Sequence, residues 1–303
     1  MKPITDYFHT LDLKFLGYAQ VIASYAFTHP GGVALVESGP GSTLPNLESG
    51  LRNLGYTLQD VTDVLLTHIH LDHAGASGAL ARAGALIHVH PNGAPHMIDP
   101  EKLLSSAGRI YGDDMDRLWG EFLPVPEQNI HIVQDGEQIQ IGELTFTAID
   151  TPGHANHHHA YLVREICFSG DVGGIRIPGT SQLRLPMPPP ELNLEKWRAS
   201  VQKLKQVRFS FIAPTHFGVF DDPKQHLEHL ERLIDEIDEW ITQVMPADPD
   251  VNKINELFMA WTALRSKSAG LSPELIERYE AANPSWMSAA GIKRYWNKYR
   301  AQA

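Results

Sequence analysis

The stretch His68-Ile69-His70-Leu71-Asp72-His73 stands directly behind the apolar run Val61-Thr62-Asp63-Val64-Leu65-Leu66, and this junction decides how the chain is read. The β-branched and leucine content of 61–66 predicts a buried strand. On an extended segment, residues two apart point the same way, so His68 and His70 can face one point in space. A turn at Leu71 then carries Asp72 and His73 to a neighbouring position. Imidazole and carboxylate are the ligands that zinc, manganese and iron take. The plainer alternative is a histidine-rich turn in solvent, and the rest of the chain arbitrates between the two.

The same arrangement recurs three times. Thr151-Pro152-Gly153-His154 follows a predicted strand at 144–149, and Ser169-Gly170-Asp171 follows one at 166–168. Pro214-Thr215-His216 follows a third at 209–213. A single histidine behind a strand is usually structural. Four strand ends in series, each delivering metal-type side chains, point to one site on one edge of a sheet assembly.

Around these junctions, short apolar runs alternate with glycine- and proline-bounded loops over the first 220 residues or so. Strands are predicted at 18–27, 32–36, 61–66, 86–90, 130–133, 139–141, 144–149, 160–163, 166–168 and 209–213, with helices at 43–54, 77–83 and 192–207. Residues 96–124 read as a helical insertion and 174–190 as a proline-rich loop. Beyond His216 only helices are expected: 224–244 keeps the helical period, and Ser272-Pro273 and Asn283-Pro284-Ser285 open two of the later ones. The division expected is a catalytic domain over 1–222 and a helical subdomain over 223–303.

Composition narrows the function. The chain has 303 residues, 25 basic against 36 acidic, for a net charge of −11. Such a surface does not suit nucleic acid as the main partner. A small-molecule substrate is expected instead, and the aromatic final helix (Trp286, Tyr295, Trp296, Tyr299) leaves a homo-oligomer open. The lone Cys167 excludes an internal disulfide and a metal held by a cysteine cluster. Asp6 and Asp12 interrupt the start where a signal peptide would be apolar, and no run of about 18 apolar residues exists to span a membrane. A cytoplasmic protein with no membrane partner is expected.

The ordered set H-x-H-x-D-H, T-P-G-H, G-D and T-H resembles the metallo-β-lactamase superfamily of dinuclear metal hydrolases over about residues 15–220. The resemblance implies an α/β fold, an αββα sandwich with the site on one edge. It implies that His68, His70 and His154 hold one divalent metal, that Asp72, His73 and His216 hold a second, and that Asp171 bridges them. Zn²⁺ is the first expectation, with Mn²⁺ or Fe also suited. The turn Val36-Glu37-Ser38-Gly39-Pro40-Gly41 resembles the family's early glycine turn, with Glu37 where aspartate is more usual. Without a cysteine ligand the chain is more similar to the glyoxalase II-like, lactonase and esterase branch than to the antibiotic-degrading one. That branch implies hydrolysis of an ester, thioester or lactone by a metal-bridging hydroxide, with Asp72 orienting it and passing its proton on. Phosphodiester cleavage, an iron-dependent sulfur dioxygenase and a non-catalytic metal-binding module are the rivals.

Other residues are placed with less chemistry attached. His158, four after His154, is expected beside the ligands, and His157 and His159 as structural or solvent-facing. His88, His90, His226 and His229 are read as bland, the last two on the polar side of a helix. Tyr111 and His96 could reach a pocket from the insertion. The basic cluster Lys293, Arg294, Lys298 and Arg300 reads as a solvated helix face. The pocket is expected from 96–124, 174–190 and the helices after His216. Ile175, Ile177, Leu183, Leu185 and Met187 are its candidate wall, and Arg176 and Arg184 its candidate cations. The alternative is that this loop docks onto the helical tail.

Overall fold

In the computed structural model, which describes residues 8–301, the apolar runs form two sheets. The first runs β1 (Phe8–Asp12), β2 (Ala23–His29), β3 (Gly32–Val36), β4 (Val61–Leu65), β5 (Leu86–Val89) and β6 (Ile130–Ile132), in that spatial order. β1 to β3 are antiparallel. β3 to β6 are parallel, as helical crossovers between them require. The crossovers are α1 (Leu44–Asn53), then α2 (Leu71–Ala74) and α3 (Ser77–Ala83), then an insertion of α4 (Ala94–Ile98), α5 (Glu101–Tyr111) and α6 (Met115–Trp119). The second sheet holds β7 (Gln138–Ile141), β8 (Leu144–Asp150), β9 (His159–Val163), β10 (Ile166–Phe168) and β11 (Phe211–Ala213), in the order β11-β10-β9-β8-β7. Helix α7 (Leu194–Lys205) precedes β11, which pairs parallel to β10. Then come α8 (Pro223–Val244), α9 (Val251–Ser268), α10 (Pro273–Ala282) and α11 (Ser285–Tyr299).

Strand alternation turns one face of each sheet inward. Tyr25, Phe27 and Val36 meet Phe146, Tyr161 and Phe168 in one apolar layer. Phe27 and Phe146 meet edge to face at 5.2 Å, and burying each such ring contributes about 1.5–3 kcal/mol. The outer face of the first sheet (Leu35, Val64, Ile87) is covered by Leu47 and Leu51 of α1 and Leu80 of α3. The second sheet (Cys167, Ile212) is covered by Trp197 of α7 and Leu230 and Ile234 of α8. The fold is the expected αββα sandwich, followed by helices.

The stretch expected as a strand over 18–27 extends only from Ala23. Asp12 accepts hydrogen bonds from the Lys14 and Gln20 backbone N–H groups at 3.0 and 2.9 Å, so the chain before Ala23 bends instead of extending. Strand β1 lay outside every predicted element, because only Leu11 of its five residues is buried.

The loop over 174–190 is core. Ile175, Ile177, Leu183, Leu185 and Met187 are all buried, the first two beside Tyr279 of α10 and the others beneath α8 and α11. Gly291 lets α11 close on this loop: a Cβ there would stand 2.0 Å from the Met187 carbonyl oxygen. The wall predicted from these five side chains is therefore corrected. They dock the loop onto the helices.

Candidate metal centre

The strand-end side chains converge. Nitrogens of His68, His70 and His154 gather in one group, those of His68 and His73 with Asp171 in a second, and Asp72, His73 and His216 in a third; within each group the ligand atoms lie within 4.8 Å of one another. His70 Nδ1 sits 3.0 Å from His68 Nε2 and 2.9 Å from His154 Nε2. Asp171 reaches both flanks, with Oδ2 3.3 Å from His154 Nε2 and Oδ1 3.3 and 3.5 Å from His73 and His216 Nε2. Asp72 Oδ2 lies 3.4 Å from His216 Nε2. All seven residues named from the sequence meet in this one cluster.

Partners on the far side of each ring fix which nitrogen faces inward. His154 Nδ1 donates to the Pro186 carbonyl (2.8 Å), and His216 Nδ1 to that of Val21 (2.9 Å). His73 Nδ1 donates to Glu37 Oε1 (3.1 Å). Thr67 Oγ1, itself donating to Glu37, sits 3.1 Å from His68 Nδ1. Each of these rings is thereby set to turn a bare Nε2 toward the cluster. His73 Nε2 and Asp171 Oδ1 are buried with no hydrogen-bond partner. Uncompensated buried acceptors are costly, and bare imidazole nitrogens about 3 Å apart repel. Divalent cations would satisfy both, so the donor set fits them.

Without a cation, the surrounding charge divides the rings into two sets. Burial, then neighbouring histidines, push His68 and His70 well below the ordinary imidazole value, and burial also lowers His154. Burial opposes charge on His73, yet Asp72, Asp171 and Glu37 outweigh it and hold the ring well above its usual value. His216 is likewise raised, against burial, by Asp171 and Asp72. Asp171 is held well below the carboxylate range, against burial, by His73, His154 and His216.

Sequence reasoning gave Glu37 no role, and it is the hub behind the cluster. Fully buried, it accepts from His73, Thr67 and Thr215. No local pattern in the sequence marks it: the carboxylate simply follows the apolar strand Gly32–Val36, and its left-handed backbone (φ 69°) just before the glycine turn is seen only in the structure. His158 lies beside the ligands as expected: its Nε2 accepts from the Val172 N–H (3.3 Å) and its Nδ1 faces Thr151 Oγ1 (2.9 Å), which supports the turn carrying Asp171.

Of the two readings open for His157 and His159, the buried one holds: His157 lines the cavity over the cluster, beside Glu191, and His159 is fully buried. His226 lies on the buried face of α8, not the polar one, and donates from Nε2 to the Gly173 carbonyl at 2.8 Å, two residues from Asp171. His90 and His159 also gather with Asp150; there His90 Nδ1 accepts from the Asn92 N–H and Nε2 pairs with Asp150, whereas both ring nitrogens of His159 are buried without a hydrogen-bond partner.

Above the ligands lies a cavity of about 400 Å³. Its floor includes His70, Asp72, His154, Asp171 and His216, and its walls come from the α4–α6 insertion, 186–191 and 280–287. The three segments expected to build it do so, and Tyr111 and His96 both line it. The expected cations do not: Arg176 is clamped by both oxygens of Asp222 (2.6 and 2.9 Å), and Arg184 pairs with Glu280 at 2.5 Å. Among the described residues no helix is long and apolar enough to cross a membrane.

Known proteins resemble this chain in sequence and fold. A metallo-β-lactamase family protein of Thermus thermophilus superposes with a TM-score of 0.65 over 97% of this chain and 94% of its own, at 20% identity. A metallo-β-lactamase fold-containing protein of Sulfurisphaera tokodaii is 23% identical over 230 residues, 75% of this chain and 84% of that one. A hydroxyacylglutathione hydrolase of Xylella fastidiosa is 28% identical over 142 residues, 47% of this chain and 42% of the enzyme, so the chain spans less than half of that hydrolase. The sequence pattern of the metallo-β-lactamase superfamily matches residues 17–216, the span that carries every strand-end ligand. The chain belongs to the metallo-β-lactamase superfamily.

Proposed function

We propose that the protein hydrolyses a carboxylic ester, thioester or lactone with two divalent metals, Zn²⁺ first among the candidates. His68, His70 and His154 would hold one, Asp72, His73 and His216 the other, with Asp171 between them. The observation that carries the reading is the convergence of bare imidazole nitrogens and carboxylate oxygens, two of these acceptors buried without a partner, on the floor of a roomy cavity. Membership of a superfamily that includes hydrolases supports it.

Cations bound there supply a water of lowered pKa and a Lewis acid for the scissile carbonyl. The chain's own groups do the rest. Asp72, with 18% of its side chain exposed against 4% for Asp171, is the ligand carboxylate more open to the cavity. It can take a proton from the attacking water and return it to the leaving oxygen or sulfur. The water oxygen bonds to the acyl carbon, the acyl–oxygen or acyl–sulfur bond breaks, and the proton ends on the leaving atom. Burial, opposed and outweighed by His73 and His216, leaves Asp72 below its usual pKa, so it starts as an acceptor. Glu37 and His158 act through the ligands, by holding ring and turn in place.

Metal analysis coupled to an ester, thioester and lactone panel tests this. Two bound metals per chain and turnover of at least one class are expected, with Asp171→Ala losing a metal and turnover together. Unchanged metal content and activity in Asp171→Ala overturns the assignment, as does faster turnover of bis(p-nitrophenyl) phosphate. One iron with oxygen uptake on a persulfide would do the same.

A further inference from the structure

The cavity over the ligands is built unlike its floor. Aromatic rings dominate its far wall. Phe15 stacks on Trp119 (5.6 Å, 16° between planes), and Tyr111 meets Trp119 edge-on at 5.0 Å and Trp286 at 6.1 Å. Leu103 and Ile110 of α5 add aliphatic surface. Two apolar side chains of the lining stay open to water, Leu16 at 39% and Trp286 at 41% exposure. Leu16 is held there at cost: its backbone is left-handed (φ 53°), as are Lys14 and Gln20 in the same loop. Each such non-glycine residue costs on the order of 1 kcal/mol, and Asp12 fixes the loop by accepting from two of its N–H groups. Strain spent on keeping a leucine half in water is unexplained by the core and explained by an apolar occupant.

Charge points the same way. The wall's cations are Lys102 and Arg117, both exposed, and Arg117 is already paired with Asp114 at 3.0 Å. Arg176 and Arg184 are sequestered in their own ion pairs. Away from the ligands the lining carries Asp114, Glu191 and Glu280, with Asp114 and Glu280 taken up by Arg117 and Arg184 and Glu191 beside His157. A substrate carboxylate or phosphate on this side would find no free buried cation. Beside the aromatic wall stands one hydroxyl, although His96, Ser106 and Asn283 also line the cavity. The Tyr111 hydroxyl has the Met287 thioether as its acceptor (2.8 Å), a weak one, so its proton is available to a substrate oxygen. Burial, and after it the charge of Asp72, keep that phenol protonated.

We propose that this cavity takes a bulky, uncharged aryl group on one side of the scissile bond, with the Tyr111 hydroxyl as a polar anchor beside the aromatic wall. The assignment rests on the hydrolase reading for the bond that is cut, and on the cavity alone for the group that is bound.

The test compares 2-naphthyl acetate with phenyl acetate, and methyl 2-naphthoate with methyl benzoate, so that reactivity is matched within each pair, and sets these against monomethyl succinate as the charged succinyl ester, using the metal-loaded full chain. It adds direct binding of the neutral dye N-phenyl-1-naphthylamine. At least one naphthyl ester should be preferred over its one-ring counterpart by tenfold or more in kcat/KM. Ile110→Trp, which fills the wall from a half-buried position, should cut that preference and the dye affinity at least tenfold with metal content intact. Tyr111→Phe should reduce kcat/KM for the naphthyl ester about three- to tenfold, the worth of one neutral hydrogen bond. Preference for the succinyl ester overturns the proposal. So does turnover of small esters with no aryl preference and no dye binding, which leaves the hydrolase reading standing. Dye binding lost in Ile110→Trp, with no ester hydrolysed at all, keeps the aryl site and sinks the hydrolase reading instead.

Discussion

Replacing Glu37 by glutamine tests the logic of the whole cluster, because Glu37 touches no cavity and acts only through its partners. Its Oε1 accepts from His73 Nδ1, Thr215 Oγ1 and Thr67 Oγ1, and Oε2 faces the Thr67 N–H at 3.4 Å. Glutamine keeps the shape but has one acceptor. If its oxygen stays toward His73, its NH₂ confronts the Thr67 N–H; if it flips, His73 is driven to the wrong tautomer. A charge-assisted bond is worth about 1.5–3 kcal/mol and a neutral one about 0.5–1.5, so the loss is about 1–1.5 kcal/mol. Glu37 also favours the proton that a metal must displace from His73, which offsets part of this, but a divalent ion carries twice the charge. The net expectation is about a tenfold weaker metal on the His73 side, the low end of the 10–100-fold range for such orienting groups. Chelator competition with metal counting should show Glu37→Gln keeping one metal at chelator levels where wild type keeps two. Equal retention of both metals, within about twofold in affinity, would refute the idea that this carboxylate tunes His73.

Other outcomes follow from the same geometry. Because His73 and His216 are raised above the ordinary imidazole value and His68, His70 and His154 lowered, metal entry on the His73–His216 side should release protons near pH 7 and entry on the His68–His70–His154 side almost none; calorimetry in buffers of different ionisation enthalpy reads this, and equal release at both sides contradicts it. His226, lowered by burial to about 4, binds its proton more readily unfolded, so its contribution is intact above about pH 6.5 and lost as pH falls toward 4. Urea melts at pH 7 and 5 should therefore show about 2 kcal/mol less acid destabilisation in His226→Gln than in wild type. Leu185→Ala, a core truncation, should cost about 2–5 kcal/mol while leaving substrate preference untouched, whereas a changed preference would return that residue to the pocket wall. Gly291→Ala should lower the melting temperature by several degrees, since its methyl meets the Met187 carbonyl.

What could be read without coordinates was whatever the chain signals locally. Ligands behind apolar runs are such a signal, since a strand ends where its hydrophobic run ends and loops carry chemistry there. That logic brought His68, His154, Asp171 and His216 to one edge although they span about half the chain. Glu37 escaped it because its partners lie far away in sequence, and a lone acid at a strand end signals nothing until the threonines behind it are in place. His226 was misread despite a visible signal: His226, Leu230, Leu233 and Ile237 are spaced four, three and four apart, one face of a helix, and all are buried. The histidine was judged by its polarity instead of its register. The 174–190 loop failed for a deeper reason. Hydrophobicity says that a side chain leaves water, not whether it leaves it for protein or for substrate. Leu185 and Met187 are sealed by α8 and α11, and the empty wall is left to Ile110, Trp119 and Trp286 from segments more than a hundred and fifty residues apart. A core is over-determined by many redundant contacts, so its pattern survives in the sequence. A cavity is what packing leaves unfilled, and no local pattern of residues encodes a gap.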